Sequence, residues 1–190
     1  MRKVLHNLSN DESLMLKFQR GVSTAFEVLY DRHKNSLFGF LHRSHVDLSV
    51  IEEIAQETWM AVINAAENYR PSARFRTYLF AIAHRKLVDY WRRSKQEQGV
   101  ERVDEKGAPL VDALEGQPGN WTDSVDLSMD LLLALESLSR EQQQAYLLKE
   151  EGFSRSEIAI MMDANEETIK SRIRYATAHL KKLLEVQYAD

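Results

Sequence analysis

The sequence predicts an all-α protein made of two small helical domains joined by an acidic, flexible linker. Only 7 of the 190 residues are glycine and 3 are proline, too few for the dense turns of an all-β fold. In several segments apolar residues recur at the i, i+3, i+4, i+7 spacing, which places them on one face of a helix. Hydrophobic residues make up 44% of the chain and charged residues 28%, so a packed core can form.

The composition also indicates the cellular compartment in which the protein is expected. Cysteine is absent, so the chain forms no disulfide, no thiolate metal site and no thiol redox switch. Residues 1–10 lack the apolar run of a signal peptide, and no apolar stretch reaches the length of about 18 residues that a membrane span needs. We therefore expect a cytoplasmic protein with no membrane insertion.

The net charge of −4 hides two segments of opposite charge. Between Arg70 and Lys95, eight arginines and lysines stand against one acid. Between Gln96 and Asp130, nine acids stand against two bases, and this stretch also holds two of the three prolines and four of the seven glycines. It predicts a linker over 96–125 between domains at 1–95 and 126–190. Its acidity either repels DNA and limits nonspecific binding or only keeps a tether solvated.

The N-terminal domain is predicted to contain four helices. A cap among residues 9–11 begins the first, and Ser23 can cap the second. The third has the strongest apolar periodicity, from Ile51 to Ala66, and the fourth follows Pro71 with an apolar inner side and a basic outer side. The outer face of the third helix holds Glu52, Glu53, Gln56, Glu57 and Met60.

The C-terminal domain carries three signatures of helix starts. Ser139 and Ser154 are each followed three residues later by Gln or Glu, as in a capping box, and Asn165 has a threonine at the same spacing. The short turn at 163–165 separates two helices as in a helix-turn-helix motif, whose second helix would run from about Glu166 to Leu184.

That second helix can be oriented from its apolar spacing. At about 100° per residue one side is the buried stripe, formed by Ile169, Ile173, Ala176, Leu180 and Leu183. The opposite side presents Glu167, Lys170, Ser171, Arg174, Tyr175, Ala178 and Lys181. Arg172 lies at the flank, where a phosphate is the easier target. Such a mixture of small, polar and cationic groups suits the major groove of DNA, where Arg or Lys reads guanine.

Four blocks of the sequence match a known pattern. Residues 25–32 read AFEVLYDR, and residues 51–63 read IEEIAQETWMAVI, with a central QET. Residues 75–93 read FRTYLFAIAHRKLVDYWRR, and residues 154–184 contain a TIKSRIRYA segment at 168–176. In this order the blocks resemble regions 2 and 4 of the extracytoplasmic-function (ECF) subgroup of sigma-70 factors. The resemblance implies an alternative sigma factor, which binds core RNA polymerase and directs initiation at promoters by recognising −35 and −10 elements.

The resemblance assigns roles to three surfaces. Docking on the clamp helices of the largest polymerase subunit would use Glu53, Gln56, Glu57 and Met60. The −10 element, with one base flipped out of the duplex, would meet Asn68, Tyr69, Arg70, Arg74, Arg85, Arg92 and Arg93. The −35 element would meet Lys170, Ser171, Arg172, Arg174, Tyr175 and Lys181. Two further expected partners are the polymerase flap and an anti-sigma factor.

The chain departs from the family pattern at three positions. Arg85 stands where the family has Asn, which puts the usual −10 base preference in doubt. Tyr78 replaces a Trp, and Ser139 replaces the frequent Pro after Leu138 while still capping a helix.

Two other classes of protein remain open. A dimeric helix-turn-helix regulator would bind its operator alone, but the QET block and the basic helix argue against it. A helical adaptor with no role at DNA would leave the aligned cations Lys170, Arg174 and Lys181 unexplained.

Little in the sequence indicates catalysis. It has no phosphate-binding glycine loop and no HExxH motif, so we predict no enzyme activity, cofactor or small-molecule substrate. His42 and His45 have helical spacing but no third ligand nearby, so no metal site is predicted. The three tryptophans, Trp59, Trp91 and Trp121, are predicted to be packing residues.

Overall fold

The computed structural model describes residues 9–44, 47–97 and 129–187, and no strand occurs in these ranges. The N-terminal part contains α1 (Asp11–Gln19), α2 (Ser23–His42), α3 (Leu48–Asn64), a 3₁₀ turn (Ala66–Asn68) and α4 (Phe75–Glu97). The C-terminal part contains α5 (Met129–Glu136), α6 (Arg140–Glu150), α7 (Arg155–Met161) and α8 (Glu166–Gln187). The predicted all-α fold of two helical domains is confirmed.

Four of the five helix caps predicted from the sequence are present. Asn10 Oδ1 accepts a hydrogen bond from Ser13 N at 2.9 Å, and Asn165 Oδ1 accepts one from Thr168 N at 2.8 Å. Ser139 and Ser154 both form complete capping boxes. The prediction that Ser23 caps α2 is wrong. The chain turns at Gly21, whose φ is +90°, and Ser23 is already the first helical residue.

The N-terminal core lies between α1, α2, α3 and α4. Phe40, Phe75 and Phe80 are among its largest fully buried side chains. Trp59 and Trp91 are also buried, as predicted, while Trp121 lies outside the described residues.

In α8 the buried stripe ends earlier than predicted. Ile169, Ala176 and Leu180 are buried and Ile173 is half-buried, but Leu183 is 38% exposed. The helix continues past the elements that pack on it, so periodicity alone overestimates the length of its covered face.

The two domains contact each other through the C-terminal end of α2 and through α4 on one side, and through α6, α7 and the turn between them on the other. The rings of Phe80 and Phe153 meet across this contact with centroids 5.0 Å apart. The guanidinium of Arg140 lies 4.7 Å from the ring centroid of Trp91. The sequence analysis predicted the tether but not this contact. Of the predicted linker, 96–125, only residues 96 and 97 are described, and they belong to α4.

Candidate nucleic-acid and protein interfaces

The outer face of α3 is polar with one apolar side chain in it. Glu53 and Gln56 are exposed, and Met60 lies beside them with 48% of its surface exposed. Glu57 is half-buried and accepts a hydrogen bond from Lys86 Nζ of α4 at 2.8 Å. Three of the four residues predicted to dock on the polymerase are thus exposed, and the fourth is paired with a cation.

The loop from the 3₁₀ turn to α4 carries the first four residues predicted to meet the −10 element. Asn68, Arg70 and Arg74 are exposed. Tyr69 instead is only 6% exposed, and its ring packs against Phe75 and Tyr78 with centroids 6.4 and 5.4 Å away. Tyr69 therefore lies beneath the loop, and the polar and cationic side chains lie above it.

Burial raises the pKa of Tyr69 to about 12, and the nearby carboxylate of Glu12 adds to this effect. The Oη atom of Tyr69 is buried and makes no hydrogen bond with any described residue. A buried hydroxyl without a partner costs free energy, so the packing of the ring must hold it in place.

The outer side of α4 continues the basic surface away from this loop. Arg85, Arg92 and Arg93 are exposed, and Arg92 Nη2 donates to Asp89 Oδ1 of the same helix at 2.9 Å. Arg85 and Arg92 are seven residues apart and lie on the same face, two turns or about 10 Å along the helix. A surface of this length can follow several phosphates of one strand.

In α8, four of the six residues predicted to meet the −35 element are exposed, namely Lys170, Arg174, Tyr175 and Lys181. The guanidinium of Arg174 lies 5.1 Å from the ring centroid of Tyr175, which is 57% exposed. Ser171 and Arg172 are half-buried at the edge of this surface. Arg172 lies close enough to His84 of α4 to act on its pKa.

Two cations next to this surface were missed by the sequence analysis. A depression of about 390 Å³ is lined by Lys149, Ser154, Arg155, Lys170, Ile173 and Arg174. Arg155 is the first residue of α7, directly after the capping serine, so its position at a helix-turn-helix entrance was readable from the sequence. Lys149 comes from the end of α6, and no local pattern connects it to α8.

One carboxylate accepts three hydrogen bonds at the contact between the domains. Glu151, whose side chain is 11% exposed, accepts hydrogen bonds from Ser36 Oγ at 2.8 Å, from Arg76 Nη2 at 2.6 Å and from Arg43 Nη2. Arg76 also lies over Phe153 at 4.5 Å from the ring centroid. Two guanidinium groups of the N-terminal domain thus share one acid of the C-terminal domain.

Further polar contacts surround Glu151. Gln144 Nε2 donates to Ser44 Oγ at 2.9 Å, and Thr77 Oγ1 donates to Glu157 Oε1 at 2.8 Å. Burial alone would raise the pKa of Glu157, but hydrogen bonds from Ser154 and Thr77 lower it overall. These bonds keep Glu157 ionised at the start of α7.

His84 is buried at the same contact. Burial is the main cause that lowers its pKa to about 4, and the positive charges of Arg172 and Arg85 lower it further. A hydrogen bond with the backbone of Met161 acts in the opposite direction. His84 is therefore neutral at pH 7.

Neither a metal-binding cluster nor a membrane-spanning helix is found among the residues that the structure describes. No group of three or more metal-binding side chains occurs there. No helix there combines the length and the apolar character that crossing a bilayer requires.

Two known family models match the chain, one in each helical domain. The family model described as Sigma-70 region 2 matches residues 29–97, and the one described as Sigma-70, region 4 matches residues 128–180.

Among curated proteins, the ECF RNA polymerase sigma factor SigK of Mycobacterium sp. (strain KMS) is 31% identical over 162 residues, which cover 84% of this chain and 83% of SigK. The ECF RNA polymerase sigma-E factor of Haemophilus influenzae is 30% identical over 172 residues, covering 86% of this chain and 89% of that protein.

Solved structures show the same likeness. The sigma factor RpoE of Bartonella quintana, in complex with the anti-sigma factor NepR, has a TM-score of 0.67 at 25% identity, covering 85% of this chain and 97% of RpoE. CnrH, in complex with the cytosolic domain of CnrY, shares the fold with a TM-score of 0.68 at 20% identity, covering 93% of this chain and 97% of CnrH.

Proposed function

The chain belongs to the ECF group of sigma-70 family RNA polymerase sigma factors, and from this membership we propose which of its faces meet polymerase and which meet promoter DNA. One observation carries the proposal: each domain exposes a set of cations on one helix, α4 in the first and α8 in the second. Two separate cationic surfaces fit two separate promoter elements, because each must neutralise its own phosphates. We propose the predicted domains at 1–95 and 126–190, with residues 96 and 97 extending α4 of the first domain.

The face of α3 that holds Glu53, Gln56 and Met60 is the proposed docking surface for the clamp helices of the polymerase. An exposed apolar side chain ringed by polar groups is the usual composition of an interface centre with its rim. Glu57 lies at the edge of this face, where its hydrogen bond with Lys86 connects α3 to α4. Contacts of the second domain with the flap complete the attachment.

The −10 strand is proposed to lie on the loop at 68–74 and to continue along α4. Extruding a base costs a few kcal/mol and requires a pocket with polar groups to receive it. Asn68 offers both a donor and an acceptor to a base edge, and Arg70 and Arg74 offer charge to the flanking phosphates. Tyr69 supports the loop from below, so its contribution is to the shape of the pocket.

The −35 duplex is proposed to receive α8 in its major groove. Lys170 and Arg174 reach base edges, where one bidentate contact discriminates by roughly 1 to 3 kcal/mol. Ser171 and Tyr175 complete the reading surface. Arg172, Lys181, Lys149 and Arg155 surround it and fit phosphate contacts.

The contact between the domains must separate for this function. The −35 and −10 elements are named for positions 25 base pairs apart, which is about 85 Å at 3.4 Å per pair. A compact chain of this length has a radius of gyration of only about 16 Å. Polymerase binding to both domains supplies the span, and each domain then acts at a high effective concentration on its own element.

Family membership also leads us to propose a protein partner and a cellular compartment. The similar RpoE was solved with an anti-sigma factor, so we infer that this chain also has an inhibitory protein partner. Polymerase and promoter place the protein in the cytoplasm. The chain itself contributes binding and strand separation, and the polymerase performs the chemistry.

The test adds the purified chain to core RNA polymerase and maps transcripts on a library of promoter sequences. We expect new promoter-dependent starts that disappear with Lys170→Ala/Arg174→Ala but remain with the matched control Lys182→Ala, which removes an exposed charge about 18 Å farther along α8 than Lys170. A regulator that binds its operator alone, or an adaptor, would produce no new starts.

A further inference from the structure

Helix α1 contacts the proposed strand-capture loop at its beginning. The side-chain amide of Gln19 lies over three backbone carbonyls, with Nε2 at 2.9 Å from Ala66 O, 2.9 Å from Glu67 O and 3.2 Å from Tyr69 O. Its two N–H protons are shared among three acceptors. Ala66 O also accepts a hydrogen bond from Tyr69 N at 3.1 Å, and the amide of Gln19 adds a partner from another helix to all three carbonyls.

The same helix contacts the end of the loop. Glu12 Oε1 accepts a hydrogen bond from Phe75 N at 2.7 Å, and Phe75 is the first residue of α4. A carboxylate at this position pairs with an unsatisfied N–H and also with the positive end of the helix dipole. Glu12 therefore sets where the loop ends and the basic helix begins.

The spacing of these two residues gives α1 a defined reach. Glu12 and Gln19 are seven residues apart, so they lie on one face of α1, two turns or about 10 Å from each other. Helix α1 is itself anchored on α2, because Asp11 Oδ2 lies 2.7 Å from His33 Nε2 and the other oxygen of Asp11 binds Arg32. The pKa of Asp11, which burial alone would raise, is lowered by these two partners.

We propose that Gln19 and Glu12 are positioning residues that hold the loop at 68–74 in the conformation that receives a flipped base. The inference rests on the function proposed above for this loop. Side chains such as Asn68 and Arg70 are exposed and their backbone is otherwise held only locally, for example by Ser72 N donating to Arg70 O at 2.8 Å. A loop fixed in advance at both ends loses less conformational freedom when the strand binds.

The experiment measures binding of reconstituted holoenzyme to a pre-melted promoter fork that exposes the −10 strand, with each base of that strand substituted in turn. Gln19→Met keeps the size of the side chain and removes its donors, Gln19→Glu places an acceptor against three carbonyls, and Gln19→Lys keeps a donor. We expect about tenfold weaker fork binding with Gln19→Met, a larger loss with Gln19→Glu, and recovery of most binding with Gln19→Lys.

The decisive readout is base preference. If the loop is held for reading, Gln19→Met reduces the difference between preferred and other bases at the captured position, while affinity for core polymerase and for a −35 duplex stays at the parental value. The matched control is Arg20→Met, which introduces the same side chain at the exposed neighbouring position. Glu12→Gln is the second variant, and it should shift the same preference if the Gln19 variants fold poorly.

Two results separate the failure of this inference from the failure of the proposed function. If Arg70→Ala and Arg74→Ala weaken fork binding but Gln19→Met and Glu12→Gln lower only the melting temperature, α1 merely packs against the loop and the inference is wrong. If Arg70→Ala and Arg74→Ala also leave fork binding unchanged, the loop is not the strand site and the function assigned to it is wrong.

Discussion

At the scale of single residues, the exposed cations of α8 differ in what they should do. Lys170 and Arg174 point to base edges in the proposed complex, whereas Lys182 lies about 12 Å beyond Arg174 along the helix axis, toward its C-terminal end. Replacing Lys170 or Arg174 by alanine should cost roughly 1 to 3 kcal/mol at preferred promoters and less at others. Transcription from a panel of −35 variants measures this. Equal losses on every sequence would show that both residues meet only phosphates.

Arg92 and Arg93 should behave in the other way, because the end of α4 is proposed to lie along the backbone of the −10 strand. Arg92→Ala or Arg93→Ala should weaken binding to a similar degree on all promoters. Each should also reduce the slope of log K against log salt concentration by about 0.7, the value for one contact with single-stranded DNA. Titrations of fork DNA at several salt concentrations test the expectation, and an unchanged slope contradicts it.

His84 should make the stability of the fold depend on pH. Its pKa is about 4 in the folded chain and 6.5 in the unfolded chain, chiefly because burial disfavours the cation. Between these values the unfolded chain binds a proton that the folded chain does not. The contribution of His84 to the free energy of unfolding is therefore fully present above pH 6.5. It falls by about 1.4 kcal/mol per pH unit down to about pH 4, roughly 3 kcal/mol in all.

Urea unfolding at a series of pH values measures this loss. The parental chain should lose more stability between pH 6.5 and pH 4 than His84→Gln, which cannot gain the charge. The carboxylates of Asp11 and Glu157, whose pKa values are lowered, lose their own contribution near the acid end in both proteins. A parallel decline in both proteins would show that His84 is not the group responsible.

At the scale of helices, α7 depends on its cap more than the longer helices do. It has only seven residues, and Ser154 with Glu157 forms a complete capping box at its start. Ser154→Ala should cost about 1 kcal/mol of folding free energy. Thermal unfolding measures the cost, with Ser49→Ala at an exposed position of α3 as the control. Equal melting temperatures for the two variants would contradict the prediction.

Among the features of single helices, those that depend on nearby residues could be predicted from the sequence, and those that depend on distant residues could not. A capping box depends on two residues three positions apart, so the pattern of Ser154 and Glu157 was sufficient to predict it. The buried side of α8 was predicted in the same local way, from the spacing of its apolar residues. The burial of Tyr69 depends on Phe75 and Tyr78, which pack against it only once the fold forms. Gln19 is 47 residues from its first acceptor, and no periodicity connects them.

At the scale of the whole molecule, the contact around Glu151 determines how far apart the two domains lie. Glu151→Gln removes the charge that Arg43 and Arg76 share, and the two guanidinium groups then gain more from water than from the contact. We expect the variant to have a larger radius of gyration by small-angle X-ray scattering than the parent. Glu150→Gln, an exposed neighbour, should leave it unchanged. An equal radius for all three proteins would show that the apolar pairs hold the domains without Glu151.

The sharing of one acceptor also has a kinetic consequence. Ser36, Arg43 and Arg76 all donate to the same carboxylate, Arg43 to Oε1 and the other two to Oε2, so their bonds depend on the position of one side chain. Once Glu151 withdraws, three donors from two helices lose their partner together. Separation of the two domains should therefore include one cooperative step at Glu151, and the rate of this step should limit how fast the free protein becomes competent for assembly.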